Sequence, residues 1–280
     1  MICIYILNFN LERRCLILSD PSIDPNILKE INDWLPESTK EKLFNPSAKI
    51  IGQGLAGIAY WAFQKPIKYG ILKKKEFDDF MEKTVNKTSE IPKENQDISK
   101  MGIVLKSFDQ ATYQMNEPIL RDMFSQLIAN TVDSRKNEHI TTLFPFILGN
   151  LSKKDGIFIK KMFSHKVNII DLAFIKSKNT TYINPFSLWP DKTVALGEYP
   201  TMNVLESFGI GDLNLIGNTW AKTPDFRKEL IQNLKNQEIY KNGVEEVKMS
   251  TNDPAGRFIS IATGTFSLTP LGLMFIQSII

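Results

Sequence analysis

Cysteine and histidine are almost absent from this 280-residue chain, which has two of each. Cys3 and Cys15 cannot build a disulfide framework in a chain of this size, so a reducing compartment, the cytoplasm, is expected. Metal centres need several His, Cys or carboxylate ligands at regular spacing. His139 stands in a polar stretch and His165 near a helix end, so neither a metal nor a cofactor is expected. Charge of one sign is lacking too: 34 basic residues face 31 acidic ones, a formal net charge of +3. That balance supplies no general field for nucleic acid or acidic substrates, and nucleic acid is not an expected partner. Long apolar runs are missing. The most apolar stretch, Ile50 to Phe63, would span about 21 Å as a helix against a hydrocarbon core of ~30 Å, and Gln53 interrupts it. No Gly-x-Ser-x-Gly elbow, HExxH pair or kinase set occurs, and "GQGLAG" (52–57) lacks the Gly-Lys-Ser/Thr ending of a phosphate loop. No catalytic residue is expected, and the chain reads as a non-enzyme.

What is present is a foldable composition, 42 % hydrophobic and 23 % charged. The first stretch, "MICIYILNFNLERRCLIL", has no basic residue before its apolar run and no small-residue cleavage site after it. A strand or hairpin is expected there rather than a secretory signal. A short helix is expected over 24–35, ended by Pro36. The next expected helix starts at Ser47 and stops at Pro66, with small residues at Ala48, Gly52, Ala56 and Ala59. Charged and apolar periodicity predicts helices over 73–87 and 98–115. "NEPILRDMFSQLIANTVD" (116–133) is the most regular passage. Leu120, Met123, Phe124, Leu127, Ile128 and Thr131 share one face; Arg121, Asp122, Ser125, Gln126 and Asn130 fill the other. Asn116 is the expected cap, with Pro118 in the first turn. The polar run 133–142 reads as a surface loop, and Ser152 opens a helix that buries Ile157, Ile159 and Met162.

Beyond Lys166, β-branched residues, glycine and proline increase. The tail reads as a strand pair over Phe258 to Leu268, then a capped helix from Thr269. The fold class is therefore mainly α, α+β overall: an N-terminal helical bundle followed by a smaller mixed module open to a winged-helix-like reading. Three segments are expected: an extension over 1–45 (strand or hairpin plus short helix), a helical domain over 46–150, and a mixed module over 151–280.

Several phrases occur in an order that resembles the abortive infection alpha family, a bacterial phage-defence group. They are the small-residue helix before "QKPIKYG", the charged helix, the turn "IPKEN" and "LRDMFSQLIANTVD". "LSKKDGIFIKKM" is similar to that family's Leu-Ser-x-x-Asp helix start. "LESFGIGDL" and "LTPLGLMFI" resemble its leucine-glycine turn and terminal Leu-Thr-Pro-x-Gly helix. The resemblance is good from Pro46 to Met162 and patchy elsewhere, with departures over 1–45 and about 214–254. It implies a phage-defence role exerted through contacts with a host or phage protein, with self-association as another form such contact can take.

One segment suggests where contact occurs. Tyr60 and Trp61 sit at the end of the small-residue helix, and Lys65, Lys68, Lys73, Lys74 and Lys75 follow. Aromatic residues beside a basic cluster suit a membrane surface, with the protein peripheral to it. In the winged-helix alternative, Thr201 to Gly209 would be the recognition helix and the Phe258 to Leu268 pair the wing. That helix offers Asn203 but also Glu206, between Glu198 and Asp212, and acidic residues oppose phosphate contact.

Overall fold

The computed structural model describes residues 3–4, 16–17, 29–30, 33–35, 37–43, 49–176, 185–216, 225–251, 255–256 and 259–280. The chain is mainly helical with a five-stranded antiparallel sheet, an α+β protein. It divides into two units, Met1–Lys153 with Ser278–Ile280, and Lys154–Gln277.

In the first unit, Cys3–Ile4 (β1) and Leu16–Ile17 (β2) pair antiparallel. Of the helix expected over 24–35, residues 29–30 and 33–34 are helical, Leu35 is a buried bend, and the remainder lies outside the described residues. The helices that follow are Glu37–Leu43 (α1), Lys49–Lys68 (α2), Lys74–Ser89 (α3), Met101–Ala111 (α4), Pro118–Thr131 (α5) and Leu143–Gly149 (α6). The apolar heptad-like spacing of α5 does place Leu120, Phe124, Leu127 and Ile128 at 0 % exposure. Its expected polar face is largely buried as well: Arg121, Ser125 and Asn130 are all below 9 %. The reason is that α3, α4 and α6 all pack against α5, so both sides of it face protein. Each buried polar group then needs a partner. Thr84 on α3 donates to the Ser125 hydroxyl at 3.1 Å, and Asn130 donates to the Ser278 carbonyl at 3.0 Å.

The cap differs from expectation. Glu117, not Asn116, is the residue preceding the first helical turn, and no side chain caps it; Pro118, with no N–H of its own, opens that turn. Aromatic rings unite α2, α3 and α4: Phe63 lies 5.2 Å from Phe77 and 5.9 Å from Phe80, and Phe80 lies 5.6 Å from Phe108. All four are fully buried, each contributing about 2–3 kcal/mol of transfer free energy. Gly52 to Gly57 lie inside α2, in helical backbone rather than a loop.

The run 133–142 is not simply a surface loop, since Asp133, Asn137 and Ile140 are buried. The Lys100 ammonium donates to the carbonyls of Asn137, Glu138 and Ile140. Asn137 donates to Asp97 at 2.8 Å and to the Thr131 carbonyl at 3.1 Å. A polar stretch can be buried this way because its backbone acceptors are met by one lysine.

The second unit is built on the sheet. Ile169–Lys176 (β3), Phe186–Leu188 (β4), Val194–Leu196 (β5), Gly211–Ile216 (β6) and Ser260–Leu268 (β7) lie in the order β5-β4-β3-β7-β6. The expected strand pair over Phe258 to Leu268 is, from Ser260 onward, one continuous strand; Phe258 itself lies outside the described residues. That strand pairs with β3 from Ile169↔Ser267 to Lys176↔Ser260, and with β6 on its other side. Nine residues without a turn signal prefer a central strand once two partners are available. One face of the sheet presents Ala173, Ile175, Phe186, Leu188 and Ile261 to Leu230, Ile231 and Leu234 of Asp225–Asn236 (α9) and Val247 of Glu238–Thr251 (α10). On the other face, Phe266 meets Phe158 of Lys153–Ser164 (α7) at 5.8 Å, and Phe174 meets Tyr199 of Tyr199–Ser207 (α8) at 5.9 Å. In α7 the buried residues are Asp155, Gly156, Phe158, Ile159 and Met162; Ile157, expected inside, is 49 % exposed because Phe158 takes the inward position.

The stretches "LESFGIGDL" and "LTPLGLMFI" meet at one junction. Pro270–Ile279 (α11) is capped by Thr269, whose hydroxyl accepts the Gly272 N–H at 3.0 Å and donates to the Gly209 carbonyl at 2.6 Å. A Cβ on Gly272 would lie 2.0 Å from the Ile210 carbonyl oxygen, and one on Gly211 would lie 2.1 Å from the Phe266 ring. These glycines permit close packing of α11 and β7 against the 209–211 turn.

Candidate contact surface

Helix α2 does not stop at Pro66. It continues to Lys68, with Pro66 inside its last turn. The chain reverses through Gly70, at φ +69°, where the Gly70 N–H reaches the Ile67 carbonyl at 3.0 Å and the Ile71 N–H reaches the Pro66 carbonyl at 2.8 Å. This pair of bonds is a Schellman motif, which satisfies the carbonyls left over at a helix end. In such motifs the apolar residue after the glycine usually folds back onto the helix. Here that residue, Ile71, is 73 % exposed, and Tyr69 is 71 % exposed.

The seven residues singled out from the sequence separate into two groups. Trp61 is 43 % exposed, and Lys65 and Lys68 are exposed one and two turns further along the same helix face. Lys73 and Lys75 are exposed at the start of α3. Tyr60 faces elsewhere: its hydroxyl donates to Glu30 at 2.9 Å, and its ring meets Trp34 edge-on at 5.5 Å. Burial and the Glu30 carboxylate push the Tyr60 phenol above its ordinary pKa. Lys74 also turns inward, bonding to Asp78 and lying 5.4 Å from the Trp34 ring and 5.0 Å from the Phe77 ring. Tyr69 and Ile71 were missed because periodicity says nothing about a turn that fails to fold back.

The same corner is positively charged. Residues 61–78 hold five lysines against Glu76 and Asp78, a local charge of +3. Lys153 to Lys166 is a second lysine-rich stretch, with five lysines against Asp155. Lys73 lies 3.8 Å from Glu76, a loose exposed pair. Among the described residues, no carboxylate pairs with Lys65, Lys68 or Lys75.

Elsewhere, several side chains that the sequence offers to chemistry are engaged in local bonds. Asp79 accepts from Lys83 at 3.1 Å and from Arg121 at 3.0 Å. Burial acts to raise its pKa, but those two cations outweigh it and hold the carboxyl below its ordinary value. Ser107 donates to the Ile103 carbonyl within α4. His139 lies exposed, 3.9 Å from Glu138. In the second unit, His165 bonds to Asp191 at 3.2 Å, while Lys161 lies 3.7 Å over the buried Trp189 ring and 3.0 Å from Glu198. Trp189 donates to the other oxygen of Glu198 at 3.0 Å, so this cluster is closed on itself. Among the described residues, no helix is long and apolar enough to cross a membrane.

The profile described as abortive infection alpha matches residues 73–279, most of the chain. The protein is a member of the abortive infection alpha family. The match begins after α2, later than the resemblance from Pro46 implied, and runs on through 214–254, where the sequence phrases depart from the pattern. No curated protein and no solved structure matches the chain.

Proposed function

We propose that this protein acts in abortive phage defence in the bacterial cytoplasm without catalysis, through contacts with a host or phage protein. The observation that carries this reading is how the side chains of the family-matched region are used. Its Asp79, Arg121, Asp97, Asp133 and Asn137 are spent on internal pairs, whereas Tyr113 is 73 % exposed, Phe146 44 % and Leu143 40 %. Large apolar groups left in water suit association more than chemistry. Phage challenge of a bacterial host expressing the protein tests it, with plaques and survival of infected cells scored together. Fewer plaques with dying cells are expected, and Tyr113→Ser with Phe146→Ser should restore plaques while leaving the melting temperature unchanged. Unchanged plaques across a broad phage panel would sink the reading.

A second reading, a membrane-directed effector, is favoured by the exposed Trp61, Tyr69 and Ile71 beside free lysines. A DNA-binding regulator has less support. The exposed side of α8 carries Asn203 and Glu206, and Glu206 is engaged by the Leu213 N–H at 3.0 Å. Absence of salt-sensitive binding to duplex DNA would remove it.

A further inference from the structure

We propose that the corner joining α2 to α3 is a docking site for an anionic lipid surface, with Trp61, Tyr69 and Ile71 entering the headgroup region and Lys65, Lys68 and Lys75 facing lipid phosphates. The proposal rests on the membrane-directed reading and names its site and partner. Three observations carry it. The apolar groups project: Trp61 and Lys65 follow one another at four-residue spacing on α2, and Tyr69 and Ile71 stand exposed in the turn that follows it. Side chains nearly three-quarters exposed have no walls around them, as Tyr69 and Ile71 show. That shape fits insertion into a soft interface, where a protein partner would need to supply a matching pocket.

Charge is the second observation. The segment 61–78 carries a local charge of +3, with the exposed Lys65, Lys68 and Lys75 in it, so a negative surface attracts this corner. The carboxyl end of α2 opposes this with a partial negative charge of about half a unit. Its last carbonyls are covered by the Tyr69, Gly70, Ile71 and Leu72 N–H groups, and the lysines exceed it several-fold. Residue types are the third. Tryptophan and tyrosine place an apolar ring and a polar edge together at a headgroup boundary, and lysine stems reach outward to phosphate. Trp61, Tyr69 and Ile71 precede the region matched by the family profile, which begins at residue 73.

The test is sedimentation of the full chain with phosphatidylcholine vesicles that contain or lack phosphatidylglycerol, at low and high salt. Binding is expected only with phosphatidylglycerol, weakening as salt rises. Lys65→Gln with Lys68→Gln should weaken it on the order of ten- to thirtyfold, by the loss of two lysines near the surface. Tyr69→Ser with Ile71→Ser should reduce it at matched salt. Met249→Ser, at another exposed apolar side chain, should change nothing. Melting temperatures confirm that the variants fold. Absence of binding to anionic vesicles, or binding indifferent to both corner variants, overturns the proposal. Equal binding of a soluble acidic peptide, abolished by the same variants, also overturns it in favour of a protein ligand. Phage challenge with the same variants separates the two readings. Lost vesicle binding with intact protection leaves the docking site standing and removes its role as effector; lost protection without vesicle binding does the reverse.

Discussion

Arg121 Nε lies 3.0 Å from the Asp79 carboxylate, while its terminal nitrogen donates to the Met115 carbonyl. The guanidinium thus ties α3, α5 and the end of the α4 connection together, although Arg121 is 8 % exposed. Arg121→Met should cost about 1–3 kcal/mol: it leaves a buried carbonyl without a donor, while Asp79 keeps Lys83 and some solvent. Calorimetry would read this as a lower melting temperature. A change inside the scatter of exposed-site variants would mean the pair is idle.

Phe124 lies at 0 % exposure in the centre of α5. Phe124→Asp places a charge where no partner exists, and should cost about 4 kcal/mol or more. Loss of the cooperative thermal transition is the expected result. An unchanged melting temperature would show that this face is not core.

Gly272 leaves no room for a side chain, with the Ile210 carbonyl oxygen 2.0 Å from where a Cβ would stand. Gly272→Ala should therefore destabilise, against the usual gain from replacing glycine in a helix. Thr269→Ala should cost about 1 kcal/mol, by loss of the cap. Urea titration of both variants checks the order of the effects, and a stabilised Gly272→Ala would refute the close approach.

Asp97 and Asp133 make stability depend on acid. The Ser99 N–H and then the Asn137 amide hold the Asp97 carboxyl below its ordinary pKa; Arg135 does the same for Asp133, against burial. Both folded values lie below the unfolded ones, so their contribution is complete above about pH 4 and is lost as pH falls through the folded values. Urea midpoints should thus drop between neutral pH and pH 3, and Asp97→Asn should flatten that drop. An Asp97→Asn profile parallel to wild type would contradict the linkage.

Much of the helical half was legible because periodicity reports which side chains share a face. Leu120, Phe124 and Leu127 of α5 are buried where their spacing placed them. What spacing left open was how many neighbours a helix has. Arg121, Ser125 and Asn130 look like a solvent face until α3, α4 and α6 close around them. The contact corner was half legible: Trp61, Lys65 and Lys68 stand out in the sequence, whereas Tyr60 and Lys74 drop out through partners in residues 30, 34 and 78, all on other turns or segments.

Local chemistry by itself determined the helices over 74–89 and 118–131 and the threonine cap at Thr269. Each depends on residues a few positions apart, and short-range sterics and hydrogen bonding act at that range. Tertiary structure decided that 260–268 is a central strand, that 133–142 is tied down by Lys100, and that Tyr69 and Ile71 stand in solvent. Those outcomes depend on partners supplied from distant segments, or on their absence, and pairing across a sheet or burial in a core exists only once the chain has folded.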